Sequence, residues 1–154
     1  MSKKIAVVGI GNLLLKDEGV GIHVIEELKK KKLSSNVETY DCATRAFLVL
    51  DSIDRKDKAI IIDAYKGGKE PGTIYKFRFD KNLLHSDIKL SLHDMDFIDV
   101  LRLEHGYKIP PEIVIIGVEP ESLEFGLELS PKLQKAMPKI IDEVLKEIPA
   151  ATLP

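Results

Sequence analysis

The sequence predicts an α/β fold: a three-layer sandwich in which a mostly parallel five-stranded sheet, with one antiparallel edge strand, is flanked by about four helices. Three observations carry this. Continuous apolar runs rich in β-branched residues, such as Ile5-Ala-Val-Val and Ala59-Ile-Ile-Ile, have the composition of strands covered on both faces. These runs alternate with helix-like segments, the order of a doubly wound sheet. One further strand-like segment follows a link too short for a parallel crossover.

The elements follow in order. Lys4–Gly9 is the first strand, bounded by Gly9 and Gly11. Asp17 to Lys31 is expected to be helical, with Val20, Ile22, Val24, Ile25 and Leu28 as its apolar face. Lys29–Lys32 closes it where cations favour the negative end of the helix dipole. Val37–Tyr40 is a second strand ending at Asp41, Ala46–Ile53 a short apolar helix, and Lys58–Ile62 a third strand ending at Asp63. Pro71 and Gly72 suit positions i+1 and i+2 of a type II turn. They introduce Thr73–Phe79, expected to pair antiparallel after its short link to the third strand. Asp94–Glu104 has an amphipathic pattern, Glu112–Val118 is a fifth buried strand, and Pro131–Ile148 is a last helix that Pro138 should kink or divide.

No repeat, linker or low-complexity tract interrupts the 154 residues, so residues 1–154 are read as a single domain. With 23 Lys and Arg against 25 Asp and Glu, the net charge of -2 argues against a polybasic nucleic-acid or membrane binder. One cysteine, Cys42, excludes an internal disulfide framework and suits a reducing compartment. Lys3 and Lys4 ahead of Ile5–Leu15 resemble a signal peptide, but a small-residue cleavage site is missing and Lys16-Asp17-Glu18 follows directly. A cytoplasmic monomer without membrane insertion is expected.

Doubly wound sheets carry their sites at the carboxyl ends of the strands. There the sequence gathers Asn12, Asp17, Glu18, Asp41, Asp63, His93 and Glu119. Glu18, Asp63 and His93 form an oxygen, oxygen and nitrogen set suited to a first-row divalent metal. Each also has a plainer reading: Asp17 and Glu18 as acids at a helix N-terminus, Asp63 as a loop cap, His93 with Asp94 as a helix-entry cap. Asn12 either fixes the glycine loop or hydrogen bonds a substrate backbone. Glu119, ahead of Pro120, either lines the cleft or is a solvated strand-end acid. Cys42 at a strand end is a nucleophile or, as a lone cysteine more often is, a small buried hydrophobe. His23 with Glu26, and His85 and His105, read as surface residues. Gly9-x-Gly11 suggests a dinucleotide fingerprint, but Leu14 stands at the third glycine position, which argues against close helix–strand packing and a Rossmann nucleotide site.

Four motifs occur in one order: Gly-Asn-Leu-Leu-Leu-Lys-Asp-Glu-Gly-Val-Gly from Gly11, Ile-Ile-Ile-Asp-Ala followed by Gly-x-x-Pro-Gly-Thr, Ser-Leu-His-Asp from Ser91, and Gly-Val-Glu-Pro-Glu-Ser-Leu-Glu with a later Leu-Ser-Pro. From Ile5 to Pro131 the chain resembles the hydrogenase maturation endopeptidases, which process the large subunit of [NiFe] hydrogenases. The resemblance implies that Glu18, Asp63 and His93 are the metal-binding and catalytic positions. The divalent metal would be the nickel carried by the substrate, with no organic cofactor. It implies a partner, the precursor of a large subunit, from which a short C-terminal extension is cut. Asn12, Asp41, Thr44 and Glu119 are the expected substrate-binding residues. One departure stands out: many relatives carry Asp-Gly-Gly-Thr where this chain has Asp41-Cys42-Ala43-Thr44. Loss of both glycines is expected to exclude left-handed backbone there, which leaves a non-cleaving, precursor-binding chaperone as the alternative.

Overall fold

The computed structural model describes residues 3–79, 91–92, 95–96 and 106–149. Seven strands are found among them: β1 (Ile5–Ile10), β2 (Val37–Ala43), β3 (Lys58–Ala64), β4 (Ile74–Phe79), the two-residue β5 (Ser91–Leu92) and β6 (Met95–Asp96), and β7 (Glu112–Val118). A 3₁₀ turn at Lys16–Gly19 precedes helix α1 (Val20–Lys29); α2 is Ala46–Ile53 and α3 is Pro131–Lys146.

The main sheet has the order β2-β1-β3-β7-β4, with all neighbours parallel except β4, which runs antiparallel on the edge. Side chains alternate across it. Ala6, Val8, Ile61 and Ile115 join Val49, Leu50 and Ile53 of α2 on one face. Ile5, Val7, Ile60, Ile62, Val114 and Ile116 meet Val24 and Leu28 of α1 and Leu133, Ile140 and Val144 of α3 on the other. Burial on both faces is why these strands read as unbroken apolar runs.

Several expectations change. The antiparallel edge strand pairs with β7 and not with β3, because β7 inserts between them. Its entry turn is as expected: Thr73 N–H donates to Glu70 O at 3.0 Å, and Gly72 has φ 90°. The first helix begins at Val20, and the residues ahead of it wind as a 3₁₀ turn, so Asp17 and Glu18 are not in its first turn. The last helix is continuous across Pro138, which lies on its exposed side where water can satisfy the freed carbonyl. Three α-helices occur among the described residues. Of the segment Asp94–Glu104, Met95 and Asp96 pair as a strand with Ser91 and Leu92, and positions 94 and 97–104 lie outside the described residues.

Two glycines set how closely α1 meets the sheet. A Cβ on Gly9 would strike the Gly21 carbonyl and Ile25 Cγ1, and one on Gly21 would strike the carbonyls of Ile62 and Ile10. The close helix–strand packing that Leu14 argued against is therefore achieved by Gly21.

Candidate active site

The site is built from the loops that leave β1, β2, β3 and β7 at one edge of the sheet. After β1 the backbone turns at Gly11, whose N–H donates to Ala43 O at 2.8 Å. A Cβ on Gly11 would collide with the Glu18 carbonyl, so the Lys16–Gly19 turn sits directly on the glycine loop. The space a pyrophosphate would need in a dinucleotide fold is filled by the protein's own backbone. Asn12 Oδ1 accepts the Leu14 N–H at 3.0 Å, which holds the loop in shape.

Asp17 and Glu18 face opposite fates. Asp17 is completely buried. Its Oδ2 accepts from Glu121 N–H (2.8 Å), Ser122 N–H (3.0 Å) and Ser130 Oγ (2.7 Å), while Oδ1 accepts from Ser130 N–H (2.8 Å). It is a clasp joining the loop after β1 to the loop after β7 and the start of α3. That occupation leaves it unsuited to move protons. Glu18, one residue on, is half-buried. The 3₁₀ turn that carries it packs against β3.

At the end of β3, Asp63 is wholly buried and its Oδ1 accepts the Ala64 N–H at 2.7 Å. Glu18 and Asp63 thus come from touching elements at the same edge. His93 lies outside the described residues, between β5 and β6 in the chain. Among the described residues, no three His, Cys, Asp or Glu side chains are grouped to hold a metal ion.

Asn12, Asp41 and Thr44 are brought together. With Gly11, Leu13, Ile22 and Ala43 they line a cavity of about 210 Å³ beside the glycine loop. The Asp41–Thr44 loop overturns one expectation. Ala43 takes left-handed backbone, φ 48°, even with its Cβ. Its N–H is held by Asp41 Oδ1 at 3.0 Å and its carbonyl by Gly11 N–H at 2.8 Å, and this bonding imposes what glycine would otherwise adopt freely.

Glu119 is not a solvated strand-end acid. It is buried, and its Oε1 accepts from Tyr75 Oη (2.5 Å), Gly67 N–H (2.9 Å) and Lys69 N–H (3.0 Å). Burial works against its charge, but the Tyr75 hydroxyl and these amides outweigh it and hold the carboxyl below its usual range. It also lines a second cavity of about 510 Å³ with Lys66, Gly68, Pro120, Glu121 and Leu123.

Cys42 is 1% exposed, with Sγ 3.4 Å from Ser52 Oγ in the core beneath α2. Burial pushes its thiol pKa up, the opposite of what a nucleophile needs. Its structural reading stands. His23 is half-buried rather than on the surface, and Glu26 instead pairs with Lys29 in solvent at 3.4 Å. His85 and His105 lie outside the described residues.

Residues 22–147 match the hydrogenase maturation protease family. The chain belongs to it. The hydrogenase 2 maturation protease of Escherichia coli is 32% identical over 145 residues, covering 92% of this chain and 88% of that one. The hydrogenase expression/formation protein HupD of Thiocapsa roseopersicina is 34% identical over 148 residues, and this chain spans 66% of its length. In structure, the hydrogenase maturating endopeptidase HybD from E. coli superposes with a TM-score of 0.79 at 32% identity, covering 93% of this chain and 90% of that one. The mixed sheet with its antiparallel edge is the fold of these proteases. Membership makes the protein a peptide-bond hydrolase, and no described helix is long and apolar enough to cross a membrane.

Ser130 and Tyr75 were not singled out by sequence reasoning. The Leu-Ser-Pro triplet was visible, but its serine's partner, Asp17, is 113 residues away.

Proposed function

We propose that this protein is a cytoplasmic, monomeric endopeptidase that removes a short C-terminal extension from the nickel-loaded precursor of a [NiFe] hydrogenase large subunit. The observation that carries the reading is that Glu18 and Asp63 lie on touching elements, the 3₁₀ turn and β3, at the carboxyl edge of a hydrogenase maturation protease fold. Carboxylate oxygens are suitable donors for a divalent ion of this class, and His93 is the imidazole that would complete the set.

Nickel belongs to the substrate. Held by the precursor, it supplies a Lewis acid that polarises a carbonyl or lowers the pKa of an attacking water. The chain's residues divide the remaining work. Glu18, Asp63 and His93 hold the metal-bearing end of the precursor against the sheet edge. Glu18, half-buried and reachable by water, is the carboxylate suited to accept a proton during attack. The cavity lined by Asn12, Asp41 and Thr44 accommodates the peptide beside the cut. A metal-free precursor lacks the docking group and stays whole.

The test is the intact mass of a large-subunit precursor from the same genome, incubated with the protein with and without nickel, beside Glu18→Gln and His93→Ala variants. Nickel-dependent loss of one C-terminal peptide, absent with the variants, is expected. An unchanged mass across every candidate precursor would overturn the protease reading, and a tight complex without cleavage would establish a chaperone instead.

A further inference from the structure

The exposed large apolar side chains among the described residues are Leu13, Leu14, Phe47, Leu48, Phe125 and Leu127. Scattered singly, such residues need no explanation. These are not scattered. Leu13 and Leu14 follow β1, Phe47 and Leu48 open the helix after β2, and Phe125 and Leu127 lie between β7 and α3. All six belong to segments that leave the carboxyl edge, where the candidate site is. Toward the other edge, the starts of β3 and β7 and the end of α3 carry Lys58, Glu112 and Glu147, tied together by ion pairs.

The most exposed pair is also well supported. Phe125 is 86% and Leu127 61% exposed, on either side of Gly126. Gly126 N–H donates to Leu14 O at 2.8 Å, and Gly126 O accepts from Lys16 N–H at 2.9 Å. Asp17 anchors Ser122 upstream and Ser130 downstream. Backbone this well bonded has no need to present two large apolar side chains to water, and their exposure costs hydration free energy that burial would recover.

We infer that Leu14, Phe125 and Leu127, with Phe47 at the start of α2 on the same carboxyl edge, form a ready-made docking surface for the folded body of the precursor, apart from the site that takes its tail. This rests on the proposed function. Two features identify the occupant. The surface is continuous with the candidate site through Leu13, which lines the 210 Å³ cavity. Its exposed charge is mainly acidic: Glu121, Glu124 and Glu128 flank Phe125 and Leu127, against Lys132, which pairs with Glu121 at 3.6 Å, and Lys16, whose stem lies along Gly126. The partner's complementary face is therefore an apolar recess fringed by Lys and Arg, and its capture is steered by charge.

The experiment is steady-state cleavage of the nickel-loaded precursor by wild type, by the double variant Phe125→Ser with Leu127→Ser, and by Phe47→Ser. These positions are exposed, and the variants' folding is checked by melting temperature. The expected result is KM raised about tenfold or more at unchanged kcat, as when an interface loses buried apolar anchors. Unchanged KM in variants that fold, while wild type cuts normally, overturns the docking surface and leaves the protease reading intact. A wild-type dimer that the double variant converts to monomer also overturns it, assigning the surface to a second copy of the chain. If wild type neither binds nor cuts the precursor, both readings fall together, and silence of the wild type itself distinguishes that case.

Discussion

Replacing Glu147 by Gln tests whether the edge away from the site is held by charge. Glu147 is buried at the end of α3. Arg78 grips its carboxylate with both terminal nitrogens, at 2.8 and 2.6 Å, Lys76 Nζ approaches to 2.8 Å, and Lys58 Nζ to 3.3 Å. Burial alone would push the carboxyl up; the hydrogen bonds from Arg78, Lys76 and Lys58 more than reverse this and bring its pKa to about 2 from an ordinary 4.5. That difference corresponds to a ceiling of about 3 kcal/mol of folding stability. Arg78 is half-exposed, and solvent screening reduces the expected loss in Glu147→Gln to about 2 kcal/mol. For a chain of this length the melting temperature should fall by about 4–8 °C at pH 7. The sign with pH follows from the folded pKa lying below the unfolded one. The stabilisation is complete above pH 4.5 and is lost as pH falls toward 2. Urea unfolding followed by circular dichroism, for both proteins at pH 7, 5, 4 and about 3, should show the two curves converging. A difference below about 0.5 kcal/mol at pH 7, or one that does not shrink on acidification, would refute the reasoning. Cleavage, proposed for the opposite edge, should keep its rate while the variant is folded.

Three further outcomes are expected. Asp17→Asn turns one of the two oxygens that accept four hydrogen bonds into an NH2 group facing donors, and should lower unfolding free energy by about 2–4 kcal/mol, read from denaturant titration. Gly21→Ala drives a Cβ into the carbonyls of Ile62 and Ile10; a loss of about 2 kcal/mol or more, with slower cleavage as the loop before α1 shifts, is the expected result. Ala43→Gly relieves left-handed strain and should change stability by less than about 1 kcal/mol in the favourable direction, whereas Ala43→Val should be clearly destabilising in the same thermal scan.

Much of the fold could be read ahead of the structure because its strands are covered on both faces and bounded by glycine, proline or acidic residues. Ala46–Ile53 and Glu112–Val118 have the bounds expected of them. The partner of β4 could not be read: its short link to β3 suggested a hairpin, and only the later arrival of β7 between them decides otherwise. The site divides in the same way. Asn12, Asp41 and Thr44 share a cavity because Asn12 follows β1 while Asp41 and Thr44 lie at the end of β2, its parallel neighbour, a relation that strand order predicts. The burial of Glu119 depends on Tyr75, 44 residues earlier, and on a turn whose amides point inward. Ala43 shows tertiary bonding overriding a residue's backbone preference.

The adjacency of Asp17 and Glu18 limits how this chain's first loop can vary. In a 3₁₀ turn, with about three residues per revolution, successive side chains point about 120° apart, so with Asp17 fully buried Glu18 is turned away from the Asp17 slot and is only half-buried. Loop length is therefore phase-locked, whereas surface connections ordinarily tolerate gain or loss of a residue. Deleting one residue from Leu13–Leu15 would bring Glu18 into the slot beside Ser130 and leave Gly19 in place of the outward acid. Adding one would put Lys16 into a fully enclosed position. Either change would silence the protein with every chemically active side chain still present in its sequence.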